Sequence, residues 1–190
     1  VTAKGTTTLH NAASEPHVQE LCHFLNGLGG QIENIGSNTL VIHGVDKLHG
    51  GEYAIGPDYR EVMSYVGAAA VTKGEVRVRS AGVPHLRMIS QVFHRLGVAW
   101  TVEGDDLLVH GGDNHPILSD LDGAVPEIKT NIWPAFPTDL TSIDITVATQ
   151  MEGSVLFPDW MFSGRMYFTD KVVAMGARTF RCDPDRRPVQ

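Results

Sequence analysis

The chain has 190 residues, of which 42% are hydrophobic, with a net charge of −7 and a pI near 5.6. That length allows one large domain or parts of two around a sizeable core. The acidic balance argues against a nucleic-acid partner, which needs a basic face; no apolar run is long enough for a membrane span; and two cysteines are too few for a disulfide scaffold and suit a reducing, cytoplasmic compartment.

In chain order, residues 6–10 alternate as a strand. Asn11 or Ser14 can cap the helix that follows, and Pro16 suits its first turn. Val18, Leu21, Cys22, Leu25 and Leu28 recur at helical spacing, which makes Cys22 a small core residue rather than a nucleophile. Gly29-Gly30 ends the helix, since glycine takes the left-handed cap without steric cost. Residues 31–34 and 39–43 then form a hairpin. The glycine-rich stretch 47–58, ending in Gly56-Pro57-Asp58, reads as a crossing between domains.

A helical apolar run over 61–71 leads to a second strand at 75–80. Pro84 opens a helix with Leu86, Ile89, Phe93 and Leu96 on one face. A hairpin over 99–102 and 107–110 turns at Glu103-Gly104-Asp105-Asp106. Residues 111–137 form a long loop with four prolines and with Trp133 and Phe136 interleaved, and loops of that length tend to be functional. A second apolar run, 140–149, precedes a strand at 155–157, a helix presenting Arg165, Phe168, Val172 and Met175, and a strand at 178–182.

These elements are three copies of one unit. Lys4-Gly5, Lys73-Gly74 and Glu152-Gly153 open the copies, and Gly29, Gly97 and Gly176 close their helices, 24, 23 and 23 residues later. Such a unit cannot bury its apolar face alone and must pack on its siblings. The class is therefore α/β or α+β, with strand-helix-hairpin modules. The first copy lacks the apolar helix that precedes the others, and the third stops one strand after its helix. The repeat thus predicts a segment of a longer protein.

Few groups offer chemistry. The nine histidines show no metal-ligand spacing, and His110 and His115 flank a polar turn; no metal site is predicted. No phosphate-loop, dinucleotide or nucleophile-elbow motif is present, so no cofactor is implied. Arg77, Arg79 and Arg87 form a solvated strand face. Two signals remain. Phe136-Pro137-Thr138-Asp139 sets Thr138 and Asp139 at a helix N-terminus, which favours anions, although Asp139 can equally be a cap. Asp58 is placed alike before the run at 61–71, as its structural twin. Trp160-Met161-Phe162-Ser163-Gly164-Arg165 puts apolar side chains and an arginine where a loop lines a cleft, or else Met161 and Phe162 are core and Arg165 a surface charge.

Gly5-Thr6-Thr7, Asn11-Ala12-Ala13, Glu15-Pro16, Leu28-Gly29, Gly44-Val45, His49-Gly50-Gly51-Glu52-Tyr53, Pro57-Asp58, Trp133-Pro134-Ala135-Phe136-Pro137-Thr138-Asp139 and Met175-Gly176-Ala177 together resemble the enolpyruvyl transferases. The match spans essentially the whole chain and is closer to the nucleotide-sugar branch than to the shikimate branch. It implies an inside-out α/β barrel protein of two domains with the active site in the cleft between them. Residues 1–56 would be the last unit of one domain and 57–190 the first two units of the other. The implied reaction moves the enolpyruvyl group of phosphoenolpyruvate to the 3-hydroxyl of UDP-N-acetylglucosamine, for peptidoglycan precursors, with release of phosphate.

By the same resemblance Asp139 is the catalytic base, and Thr138, Asp139, Met161, Phe162 and Arg165 bind substrate. The family's reactive cysteine or aspartate, its phosphate-binding lysine and several arginines lie outside the chain, so the segment alone is expected to be inactive and to need the remainder of the enzyme. Two departures bear on the acceptor: Tyr59-Arg60-Glu61 stands where an arginine or histidine usually follows the aspartate, and Ser163-Gly164 replaces the usual residues before Arg165. A different nucleotide acceptor, or a non-catalytic module that kept the fold, are the alternatives.

Overall fold

The structure is a computed structural model that describes residues 1–162 and 164–181. The first unit holds β1 (Thr6–His10), α1 (Pro16–Gly27), β2 (Gln31–Glu33) and β3 (Thr39–His43). Its three strands are antiparallel in the order β1-β3-β2, so His43 stands opposite both Thr6 and Gln31. Neither Asn11 nor Ser14 caps α1. Glu15 occupies the boundary without a side-chain cap bond, Asn11 takes a left-handed φ of 55°, and the Ser14 hydroxyl donates to the Trp133 carbonyl at 3.4 Å. Pro16 starts the turn instead, with φ already set and no N–H to satisfy. At the other end Gly29 (φ 94°) donates to the Asn26 carbonyl and Gly30 to that of Leu25, as expected for a glycine-terminated helix.

Cys22, Ile32 and Leu40 form a small core in this unit, which agrees with Cys22 as a packing residue. Burial pushes its thiol pKa up, away from a reactive thiolate. Leu21, placed by its spacing on the apolar stripe, is instead 55% exposed. One helix over three strands covers only a narrow line of side chains, and Leu21 falls beside it.

Residues 44–58 have no regular structure. They are fastened to α1, because the Gly56 N–H donates to the Glu20 carboxylate and the His49 N–H to the Leu28 carbonyl. Next come α2 (Tyr59–Thr72), β4 (Glu75–Val78), α3 (Arg87–Arg95), β5 (Trp100–Glu103) and β6 (Asp106–His110). The second sheet runs β4-β6-β5, the same order as the first. Pro84 lies in a short 3-10 turn, Val83–His85, ahead of α3. The predicted apolar face of α3 is buried: Leu86, Ile89, Phe93 and Leu96 are all at most 1% exposed. Arg77 of β4 pairs with Glu103 of β5 at 2.7 Å and Asp106 of β6 at 3.5 Å, a solvated charge ladder, whereas Arg87, expected on the same strand face, begins α3 instead.

A 3-10 turn, Thr138–Leu140, leads into α4 (Thr141–Ala148), which packs on α2. The larger core joins α2, α3 and the second sheet to Ile128, Phe136, Leu140 and Val147, and it shares no residue with the core of the first unit.

The third copy departs from its prediction. Residues 155–157 form no ladder; Leu156 makes one isolated parallel bridge with Glu127. The helix is a 3-10 turn, Arg165–Phe168, continued by a short α5 (Thr169–Ala174), and Met175 at its end is 79% exposed. Residues 178–181 form no strand, and Cys182 lies outside the described residues. The sheet order supplies the reason. In both complete sheets the last strand of the unit lies in the middle and pairs with the other two, which do not pair with each other. No such strand follows α5 among the described residues, and without it the outer strands of this unit form no ladder there.

Asp144 on α4 is fully buried, and neither carboxylate oxygen has a hydrogen-bond partner among the described residues. Burial pushes its pKa well above the usual carboxylate range. A raised folded-state pKa favours the protonated form, so the native state binds more protons than the unfolded one. Stability is then full below the unfolded pKa of about 3.9 and is lost as pH rises through the folded value. Asp144→Asn should remove that slope. Urea midpoints measured at pH 5 and pH 8 should converge in the variant and differ in the parent.

Candidate active site

Pro137 precedes the 3-10 turn Thr138–Leu140, and Thr141 begins α4, so Thr138 and Asp139 occupy the one turn between an extended loop and that helix. The Thr141 hydroxyl donates to the Thr138 carbonyl at 2.7 Å and braces this turn. The preceding loop is held by paired backbone bonds, with Asn131 donating to the Phe136 carbonyl and Ala135 to that of Ile132. Phe136 is 2% exposed and anchors the turn in the larger core.

The loop at 158–165 comes to lie against this turn. The Trp160 indole N–H donates to the Thr130 carbonyl at 2.9 Å, tying the two loops together. The Thr138 hydroxyl donates to the Met161 sulfur at 3.2 Å. Arg165 donates from Nη1 to the Thr138 carbonyl at 3.2 Å and from Nη2 to Asp139 Oδ1 at 3.0 Å, while its Cζ lies 5.4 Å from the centre of the Phe162 ring. Thr138, Asp139, Met161, Phe162 and Arg165 are therefore neighbours, although about twenty residues separate the two groups in sequence. Phe162 is 53% exposed, so it is not core, and Arg165 is a paired cation rather than a free surface charge. Ser163 lies outside the described residues.

The carboxylate of Asp139 makes no capping bond to its helix. Asp58 behaves differently. It caps α2 by accepting from the Arg60 N–H at 2.8 Å, and it also takes the Arg60 guanidinium as a fork, with Nε at 3.0 Å and Nη2 at 2.8 Å. That guanidinium holds the Asp58 carboxyl below the usual carboxylate range. The remaining nitrogen of Arg60, Nη1, lies 3.8 Å from Asp139 Oδ2. Asp139 thus faces one guanidinium on each oxygen, yet its side chain stays 38% exposed and open to a ligand.

Sequence reasoning gave Arg60 and Tyr59 no place in the site. Tyr59 is 4% exposed and stacks on Trp133, with ring centres 5.7 Å apart. Its hydroxyl has no hydrogen-bond partner among the described residues, and burial, followed by the charge of Asp139, pushes its pKa up to about 12. The only signal for either residue was that Tyr-Arg replaces the cation expected directly after Asp58.

Among the described residues no group of three or more His, Cys, Asp or Glu side chains could hold a metal ion. No described helix is long and apolar enough to cross a membrane.

Residues 1–177 match the family model described as EPSP synthase (3-phosphoshikimate 1-carboxyvinyltransferase). The chain is 52% identical over 186 residues to a UDP-N-acetylglucosamine 1-carboxyvinyltransferase of Bradyrhizobium diazoefficiens, covering 98% of this chain and 43% of that relative. It is 48% identical over 184 residues to the protein of the same name from Treponema denticola, with 97% and 43% covered. In structure it resembles the enolpyruvyl transferase NikO from Streptomyces tendae, with a TM-score of 0.77 at 24% identity, over 96% of this chain and 42% of that one. An EPSP synthase from Acinetobacter baumannii gives a TM-score of 0.56 at 18% identity, covering 92% and 40%. The chain thus spans less than half the length of the curated relatives it matches, and the two structural likenesses concern the fold.

Proposed function

The chain belongs to the EPSP synthase family of enolpyruvyl transferases, and from that premise we propose that it is a segment of an enzyme that transfers the enolpyruvyl group of phosphoenolpyruvate to the 3-hydroxyl of UDP-N-acetylglucosamine. The names carried by its relatives at 52% and 48% identity support this choice of substrates. The observation that carries the catalytic part is Asp139, an accessible carboxylate between two guanidinia, beside a loop that presents Met161 and Phe162.

A carboxylate that does not cap its helix is free to accept a proton from a hydroxyl brought within hydrogen-bond reach. In the proposed step Asp139 takes the proton of the 3-hydroxyl as the sugar oxygen bonds to C2 of phosphoenolpyruvate, and the double-bond electron pair takes a proton at the methylene carbon from an acid in the remainder of the enzyme. In the elimination half a proton leaves the resulting methyl group, the double bond re-forms and the carbon–oxygen bond to phosphate breaks. Thr138, Met161, Phe162 and Arg165 orient the acceptor; Arg165 also supplies a positive charge for an anionic substrate. The product feeds peptidoglycan precursor synthesis in the cytoplasm.

The same reading divides the chain after residue 56. Two apolar cores without a shared residue and the equal strand orders of the two sheets support that division and the internal repeat. Residues 1–56 are then the last unit of one domain and 57–190 the first two units of the next.

The test is an assay of phosphate release from phosphoenolpyruvate. The full-length protein should turn over with UDP-N-acetylglucosamine, and the 190-residue segment alone should stay at background. Turnover by the full-length protein only with another nucleotide would replace the acceptor. No turnover with any nucleotide would leave a non-catalytic module, and robust turnover by the segment would overturn the fragment reading.

A further inference from the structure

We propose that Arg60 is a positioning residue for Asp139, held in place by Asp58, an inference that rests on Asp139 being the acceptor's base. Three observations carry it. First, Arg60 is fixed at one end: two of its three guanidinium nitrogens are forked on the Asp58 carboxylate, at 3.0 and 2.8 Å. A planar fork on a carboxylate loses little further freedom once formed, which makes the third nitrogen a well-placed donor. Second, that third nitrogen, Nη1, faces Asp139 Oδ2 at 3.8 Å, whereas Arg165 takes Oδ1 at 3.0 Å. Third, Asp58 belongs to the backbone framework, because it caps α2 through the Arg60 N–H. The row Asp58, Arg60, Asp139, Arg165 therefore alternates in sign and joins the start of α2 to the start of α4.

The two cations on Asp139 are not equivalent. Arg165 stands at the start of the short 3-10 turn that follows the 158–162 loop, makes no other carboxylate contact among the described residues, and also reaches the Thr138 carbonyl. It is the partner that an anionic ligand can recruit away. Arg60 has its own carboxylate and stays. When Arg165 turns to the ligand, Oδ1 is freed to accept the hydroxyl proton, while Arg60 keeps the carboxylate oriented through Oδ2. A misplaced base loses rate rather than affinity.

Tyr59 fills the buried position against Trp133, and α2 aims the next residue, Arg60, at Asp139.

Full-length enzyme variants test this. Arg60→Met should lower kcat about 10-fold with the acceptor KM within about 2-fold, and Arg60→Lys should recover part of the loss, because a point charge replaces the cation but not the fork. In an Asp139→Asn background Arg60→Met should add nothing further, since residues that act as a unit are not additive. A purely structural role would instead lower the melting temperature, leave kcat intact below it, and give additive effects; that result overturns the inference. If Asp139→Asn abolishes turnover while Arg60→Met keeps the parental kcat, only the role of Arg60 fails. If Asp139→Asn itself keeps the parental kcat, the base assignment fails and this inference with it.

Discussion

Asp139→Asn in the full-length enzyme should lower kcat by about 10²–10⁴ while leaving the fold intact, the usual scale for a positioned acid–base group. Asparagine has the same shape and can still accept the Arg165 hydrogen bond through its amide oxygen, but it cannot take up a proton near neutral pH. Stability offers no competing explanation. The Asp139 carboxylate caps nothing, and its ion pairs with Arg165 and Arg60 are partly exposed, where such pairs contribute about 0–1 kcal/mol. Steady-state kinetics beside a thermal melt would read both effects. A variant with nearly parental kcat would reduce Asp139 to a structural partner of Arg165.

What could be read from the sequence followed the range of the interaction. Helices α2 and α3 were legible because their apolar spacing and their end signals act within a few residues: Asp58 ahead of α2, Gly97 after α3. The hairpins were legible from their turns. The third unit was misread because a strand exists only by pairing, and the strand order puts the last strand of each unit in the middle. Local alternation at 155–157 could not reveal whether a partner strand pairs with it, and none does among the described residues. Asn11 and Ser14 both read as possible caps, a local role, whereas the Ser14 hydroxyl reaches Trp133, 119 residues away. The site behaves in the same way. Thr138 and Asp139 stand out in the sequence as a helix start and Met161, Phe162 and Arg165 as a cleft-type loop; the family resemblance gives them roles, and the structure adds that they touch. Arg60 was visible only as an irregularity beside Asp58, because its second target lies on α4's approach, far along the chain.

Gly97→Ala should be among the most damaging single substitutions in this chain, and Gly176→Ala should be mild, although both glycines end a helix at nearly the same φ, 95° and 99°. The shared cost is a side chain in left-handed backbone, about 1–2 kcal/mol. Among the described residues no atom lies near the position a Cβ would take at Gly176, so its expected cost stops there. At Gly97 a Cβ would run into the carbonyl oxygen of His115, a backbone atom that cannot rotate away. The contact is part of the architecture, because the His115 N–H donates to the Gly97 carbonyl at 3.0 Å and brings the 111–137 loop onto the end of α3. Phe93, Leu96 and Val98 on the helix side are at most 1% exposed, so relief of the strain requires the His115 backbone to move off the end of α3. Overpacking of that kind costs about 1–3 kcal/mol more, and losing the His115 bond about another 1. The expected totals are about 3–6 kcal/mol for Gly97→Ala and about 1–2 kcal/mol for Gly176→Ala, read from urea midpoints of the full-length protein. Equal losses in the two variants would mean that the close approach of His115 contributes nothing and that φ alone sets the cost at both helix ends.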